Sequence, residues 1–170
     1  MRNKVSEAFL VVGVTVICIG KLKERFWRDA CAEYEKRLSR FCSLTVKELA
    51  EVSLPENPSQ AQIDAALKKE GEAIEREIPQ GAYRVALCVE GESLSSPQLA
   101  EKLGFLASSG RGKVCLIIGS SFGISEEIKK RCDLRLSFSK MTFPHQLFRV
   151  LLLEQLYRAF SILGGMKYHK

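Results

Sequence analysis

Several familiar chemistries lack their raw material in this 170-residue chain. It holds six cysteines, Cys18, Cys31, Cys42, Cys88, Cys115 and Cys132, but no Cys-x-x-Cys pair and no histidine beside them at metal-ligand spacing. Cys18, Cys88 and Cys115 sit inside Val/Ile/Leu runs, where a thiol behaves as a small buried hydrophobe. That usage fits a reduced, cytoplasmic protein that binds no metal. Only two histidines occur, His145 and His169, and there is no Gly-x-Ser-x-Gly, so a zinc centre or a hydrolase triad has little to be built from. Neither G-x-G-x-x-G nor G-x-x-x-x-G-K-[ST] is present, which removes the main support for dinucleotide and P-loop readings.

A membrane segment is missing as well. Arg2 and Lys4 followed by Ala8 to Ile19 imitate the charged and apolar regions of a signal peptide, but no small-residue cleavage site follows. The apolar run falls short of the roughly 20 residues that span a bilayer. Its Val/Thr/Ile content reads as a buried strand. No internal repeat, low-complexity segment or second domain interrupts the chain. With 46% hydrophobic and 27% charged residues the composition is that of one globular domain. The 26 Lys and Arg against 20 Asp and Glu give a net charge of +6, which favours an anionic partner without identifying it.

What is present is an alternation of β-rich apolar runs with amphipathic helical patterns. Strands are expected at Val14 to Ile19, Leu44 to Leu49, Arg84 to Val89, Lys113 to Ile118 and Leu134 to Leu136. Helices are expected over Lys21 to Leu38, over Gln60 to Glu77 after a Pro55–Pro58 turn segment, and from Ser96 to about Ala107. The last of these has Ser96 as its cap and Pro97 at the first helical position. Ser125 caps a short helix, and Phe143 or Pro144 opens a final one that runs to about Leu163. Strands joined by crossover helices imply an α/β fold, a parallel sheet covered on both faces.

In such sheets ligands collect where strand C-termini meet the following loops. Three loops qualify: Val89-Glu90-Gly91, Gly119 to Gly123, and Ser137 to Phe143. Gly119 allows close backbone approach, though a glycine that ends a strand is also ordinary turn chemistry. The final helix is apolar almost all round, from Leu147 to Phe160. It fits either the core of a monomer or a contact with a second subunit. The Gly164-Gly165 pair makes the tail either a frayed end or a hinge that delivers Tyr168 and His169 to a site.

Taken together, Leu116-Ile-Ile-Gly119-x-x-x-Gly123, Leu136-Ser-x-Ser-x-x-Thr-x-Pro144-His145, Arg149-Val150, Glu154-Gln155-Leu156-Tyr157-Arg158-Ala159 and Tyr168-His169 resemble one family. It is the ribosomal RNA large-subunit methyltransferase H family, SPOUT-class enzymes that methylate N3 of a pseudouridine in 23S rRNA. The likeness covers Val14 to Lys170. Met1 to Gly13 then reads as an N-terminal extension or an over-called start, and residues 14 to 170 as one SPOUT domain.

The resemblance implies a C-terminal deep trefoil knot whose loops hold S-adenosylmethionine. The cofactor residues it points to are Leu87, Gly119, Ser120, Ser139, Lys140, Met141, Thr142, Phe143 and Pro144. Ser120, where some relatives have glycine, is expected to contribute mainly backbone. Also implied are a homodimer built on the last helix and the 70S ribosome, with its 23S rRNA, as substrate. The residues expected near the reacting atoms are His145, Arg149, Tyr168 and His169, the last two arriving from the tail. Alternative roles stand beside these: His145 as a helix cap and Arg149 as the partner of a carboxylate. Two rival classes remain, an α/β enzyme that binds NAD or ATP and a catalytically dead ribosome-binding module.

Overall fold

The computed structural model describes residues 12 to 168. Five strands, β1 (Gly13–Ile19), β2 (Ser43–Leu49), β3 (Tyr83–Ser93), β4 (Lys113–Ile118) and β5 (Leu134–Ser137), form one sheet in the order β2-β1-β4-β3-β5. Every pairing is parallel. Alternate residues of β1 serve opposite faces: Val14, Val16 and Cys18 enter one core, Ile17 and Ile19 the other. Both faces are therefore buried, which is why the strands read as continuous apolar runs. Helices α1 (Arg25–Leu38), α3 (Ser96–Ser108) and α5 (His145–Leu163) cover the first face, and α2 (Gln60–Glu77) and α4 (Glu126–Lys130) the second.

Several boundaries differ from expectation for visible reasons. Residues 12 and 13, assigned from the sequence to the extension, belong to the packed body. Val12 is fully buried, and Gly13 N donates to Gly112 O at 2.7 Å. The rest of that extension lies outside the described residues. Lys21 to Glu24 are not helical; the Arg28 guanidinium holds this stretch by donating to the carbonyls of Leu22 and Lys23. Ser95, one residue earlier than expected, caps α3 through a reciprocal box with Gln98, which places Pro97 at the second helical position.

Strand β3 is longer than expected and interrupted. Leu136 pairs with Leu87 and again with Glu92, so residues 88–91 leave the ladder and pass over β5. A side-chain carbon on Gly91 would lie 2.7 Å from the backbone carbons of Arg135 and Leu136, so only glycine fits this crossing. Beyond β5 the chain returns as α5 between α1 and α3, with Leu152, Leu153, Leu156, Ala159 and Phe160 at zero exposure. Among the described residues no helix is long and apolar enough to cross a membrane.

Candidate active site

The C-terminal ends of β3, β4 and β5 open onto a cavity of about 620 Å³. Three chain segments converge there: Leu87 to Glu90, Ile118 to Ile124, and Ser137 to His145 with Phe148. Of the residues expected to hold a cofactor, Leu87, Gly119, Ser120, Ser139, Met141, Thr142, Phe143 and Pro144 all line it. Lys140 does not; its side chain is exposed outside the cavity.

The turn after β4 is closed by Gly123 N donating to Ser120 O at 2.9 Å. A side-chain carbon on Gly119 would lie 2.1 Å from Gly123 O, so the turn can fold back on itself only with glycine there. Ser120 supplies more than backbone. Its hydroxyl donates to Oε2 of Glu70 at 2.9 Å, and Oε1 of the same carboxylate accepts from Val52 N at 2.9 Å. Glu70 is 4% exposed, so this buried acid of α2 is satisfied by the loops that follow β2 and β4.

The irregular loop after β5 is held by its own serines. Ser137 Oγ donates to Ser139 O at 2.9 Å, and Met141 N donates to Ser139 Oγ at 3.0 Å. Phe138 and Phe143 pack on Phe148 of α5 with ring centroids 4.9 and 6.3 Å apart, giving the cavity one aromatic wall. Pro144 ends the loop at φ −55° and starts α5, its carbonyl accepting from Phe148 N.

On the opposite wall Lys129 bonds Glu90 and Glu126. The hydrogen bond from Lys129 holds the Glu90 carboxyl below the usual carboxylate range. Burial pushes the neighbouring Cys88 thiol up, so it stays protonated.

Of the residues expected near the reacting atoms, three are among the described residues, and of these His145 alone lines the cavity. Arg149 lies beneath it, 2% exposed, bonded to the Glu48 carboxylate and, at 3.0 Å, to Gly20 O. It is the partner of a buried carbonyl and a carboxylate and has no face on the cavity. Tyr168 packs on Tyr157 and donates to Glu154 Oε1 at 3.2 Å. Glu154 stands nine residues along α5 from His145, roughly 14 Å away at 1.5 Å per residue. Within one chain, Tyr168 and His145 are therefore not brought together. His169 lies outside the described residues.

The loops expected from the sequence left out Cys88, Ile118, Ile124, Lys129 and Phe148, which also line the cavity. Phe148 looks like a core residue in sequence, and no local signal separates it from the rest of α5. Lys129 carries no motif; only the fold brings α4 against the Glu90 loop. Among the described residues no group of His, Cys, Asp or Glu is placed to hold a metal. The cavity suits a nucleoside-sized organic group instead: its volume is typical of small-molecule sites, its walls are aromatic and aliphatic, and loop backbone rims it.

Comparisons with known proteins agree on one lineage. A family model described as "Predicted SPOUT methyltransferase" matches residues 12–169. A "Ribosomal RNA large subunit methyltransferase H" from Bifidobacterium adolescentis is 50% identical over 157 residues, covering 92% of this chain and 99% of that protein. One of the same description from Clostridium kluyveri is 46% identical over 159 residues, covering 94% and 100%. Among solved structures, a probable methylase family protein from Haemophilus influenzae Rd KW20 superposes with a TM-score of 0.51 at 16% identity, over 94% of this chain and 71% of that one, a likeness of fold alone. By the extent of these matches, the chain belongs to the SPOUT methyltransferase family and is a methyltransferase.

Proposed function

We propose that the protein transfers a methyl group from S-adenosylmethionine to N3 of a pseudouridine in 23S rRNA of the assembled 70S ribosome, acting in the cytoplasm as a homodimer. The observation that carries this reading is the convergence of the β3, β4 and β5 loops on one cavity, lined by eight of the nine residues that the family resemblance assigns to the cofactor. The near full-length identity to proteins named for ribosomal RNA methylation supports the substrate class. The crossing of residues 88–91 over β5, followed by the return of α5, supports the family's trefoil knot.

When bound, S-adenosylmethionine supplies an electrophilic sulfonium methyl. This chain's residues do the rest by positioning. The Phe138, Phe143 and Phe148 wall and Leu87 enclose an apolar body, while the Gly119–Gly123 turn and the Ser139–Pro144 loop offer backbone N–H and C=O groups to a base edge. The acceptor N3 is a weakly acidic imide, so holding its anion in line with the methyl is the main catalytic demand. His145, on the cavity wall, is placed to orient the acceptor ring. Tyr168 reaches such a cavity only from a second copy of the chain, which ties the site to the dimer. Phe105, 67% exposed on α3, and Met166, 47% exposed after α5, leave apolar surface on that side for the partner.

The test is mass spectrometry of 23S rRNA from a strain lacking the protein, paired with labelled methyl transfer to that strain's 70S particles. The expected result is one missing methyl, restored in vitro. Binding of the particles without transfer would favour a ribosome-binding module, and stabilisation by NAD or ATP but not by S-adenosylmethionine would favour another nucleotide enzyme.

A further inference from the structure

At the mouth of the cavity, beyond the end of β1, the side chains of His145 and Glu51 both come up against Gly20. A side-chain carbon placed on Gly20 would sit 3.4 Å from His145 Nε2 and 3.7 Å from Glu51 Oε2. Glu51 follows β2 and is exposed; its other oxygen, Oε1, accepts from Ser121 Oγ at 3.2 Å. Ser121 and His145 both line the cavity, so the pair is fixed to its rim from two sides. Among the described residues neither His145 Nε2 nor Glu51 Oε2 has a hydrogen-bond partner. An imidazole nitrogen and a carboxylate oxygen stand unused beside the cavity.

We propose that Glu51 is the residue that tells pseudouridine from uridine, by accepting the N1–H of the target ring while His145 donates to the adjacent ring carbonyl. The inference rests on the function proposed above. Its chemistry follows from the two bases. Pseudouridine is joined to its ribose through C5, so the ring edge beside N3 presents a carbonyl and then N1–H. Uridine seated by the same ribose presents a carbonyl and then C5–H. Both bases satisfy an imidazole with its proton on Nε2. Only pseudouridine satisfies the carboxylate, and uridine would cover Glu51 Oε2 without a donor. A site that hydrogen-bonds a substrate N–H rejects the analogue lacking it because its own polar group is left unpaired. Glu51 is exposed, so water relieves part of that penalty, and the discrimination expected from it is on the order of tenfold rather than the thousands of a sealed site.

The experiment uses 70S particles that carry pseudouridine at the target and particles from a strain without the synthase that makes it, which carry uridine there. The ratio of kcat/KM for labelled methyl transfer to the two is measured for the wild type, Glu51→Gln and Glu51→Ala. Melting temperature and S-adenosylmethionine affinity serve as controls for the fold. The ratio should narrow by about tenfold in Glu51→Ala and by less in Glu51→Gln, whose amide oxygen still accepts. An unchanged ratio, including equal losses on both substrates, overturns the assignment. Equal narrowing in the two variants also overturns it, because the effect would then belong to charge. A wild-type enzyme that labels neither particle would sink the proposed function itself, and this inference with it.

Discussion

The hydroxyl of Ser120 and the carboxylate of Glu70 meet at 2.9 Å, joining the turn after β4 to the buried middle of α2. The next residue, Gly71, lies flat against the helix cap beyond that turn: a side-chain carbon there would be 2.9 Å from Ser125 Oγ. Helix α2 is therefore docked on the cavity loop through one hydrogen bond and one steric fit. The shape of that turn depends on a residue 50 positions away in sequence.

Ser120→Gly, which the family comparison makes look harmless, should be costly in this chain. It removes the donor to Glu70 Oε2 and leaves a buried carboxylate oxygen unpaired, a loss of about 1–3 kcal/mol. Urea denaturation should show a lower midpoint with an unchanged slope, and calorimetry should show weaker S-adenosylmethionine binding. Equal stability and affinity in the variant would mean that water replaces the hydroxyl.

Arg149 is expected to act on stability and not on the cofactor. Replacing it with Met removes the donor to the Gly20 carbonyl and the cation beside the Glu48 carboxylate, which keeps only Leu22 N at 3.4 Å. Glu48 is 35% exposed, so the cost should be on the order of 2–3 kcal/mol, below that of a fully buried pair. At a temperature where the variant remains folded, its affinity for S-adenosylmethionine should match the wild type. A folded variant that no longer binds would place Arg149 in the site after all.

Much of this arrangement was legible in the sequence. Parallel strands covered on both faces announce themselves as unbroken apolar runs, and all five expected strands begin within a residue of the observed start. Periodicity identified α2 and α5 because long amphipathic or apolar stretches repeat over several turns. Long-range partners were not legible. Nothing near Ser120 in sequence points to Glu70, nothing near Arg149 points to Glu48, and Tyr168 could be assigned to the tail but not to its seat on Tyr157. Local patterns encode which face of an element is buried; they do not encode which residue of another element it meets.

The thiols make the protein sensitive to alkali. Burial pushes Cys18, Cys42 and Cys115 from 9.0 up to about 12. In the unfolded chain they would ionise near 9.0, so between these values the unfolded state sheds protons that the folded state keeps. Their contribution to stability is complete below about pH 9 and is lost as pH rises toward 12, by up to roughly 1.4 kcal/mol per pH unit for each thiol. Urea midpoints measured under reducing conditions should be flat from pH 7 to about 9 and then fall. Cys115→Ala should make that fall shallower. An equally steep decline in the variant would assign the effect to other groups.

The tail offers the sharpest test of the composite site. In its own protomer Tyr168 sits edge-on to Tyr157, with ring centroids 4.7 Å apart, and Arg158 lies over its ring at 4.8 Å. Burial, with Tyr34 and Glu154 nearby, pushes its hydroxyl up to about 12, so at neutral pH it can donate a hydrogen bond but cannot serve as a base. Its expected part in the reaction is therefore to hold the acceptor ring or its developing anion, reaching the cavity of a second copy. Deleting Tyr168 to Lys170 should lower methyl transfer to 70S particles by at least about tenfold, on the order of 1.4 kcal/mol in the barrier. S-adenosylmethionine affinity and the mass of the dimer by light scattering should stay at wild-type values. Mixing the truncated chain with a full-length chain disabled at Glu51 and His145 should restore part of the activity, because a heterodimer has one intact cavity facing one intact tail. Full activity in the truncated enzyme alone would show that the tail takes no part, and no rescue on mixing would show that each chain uses its own.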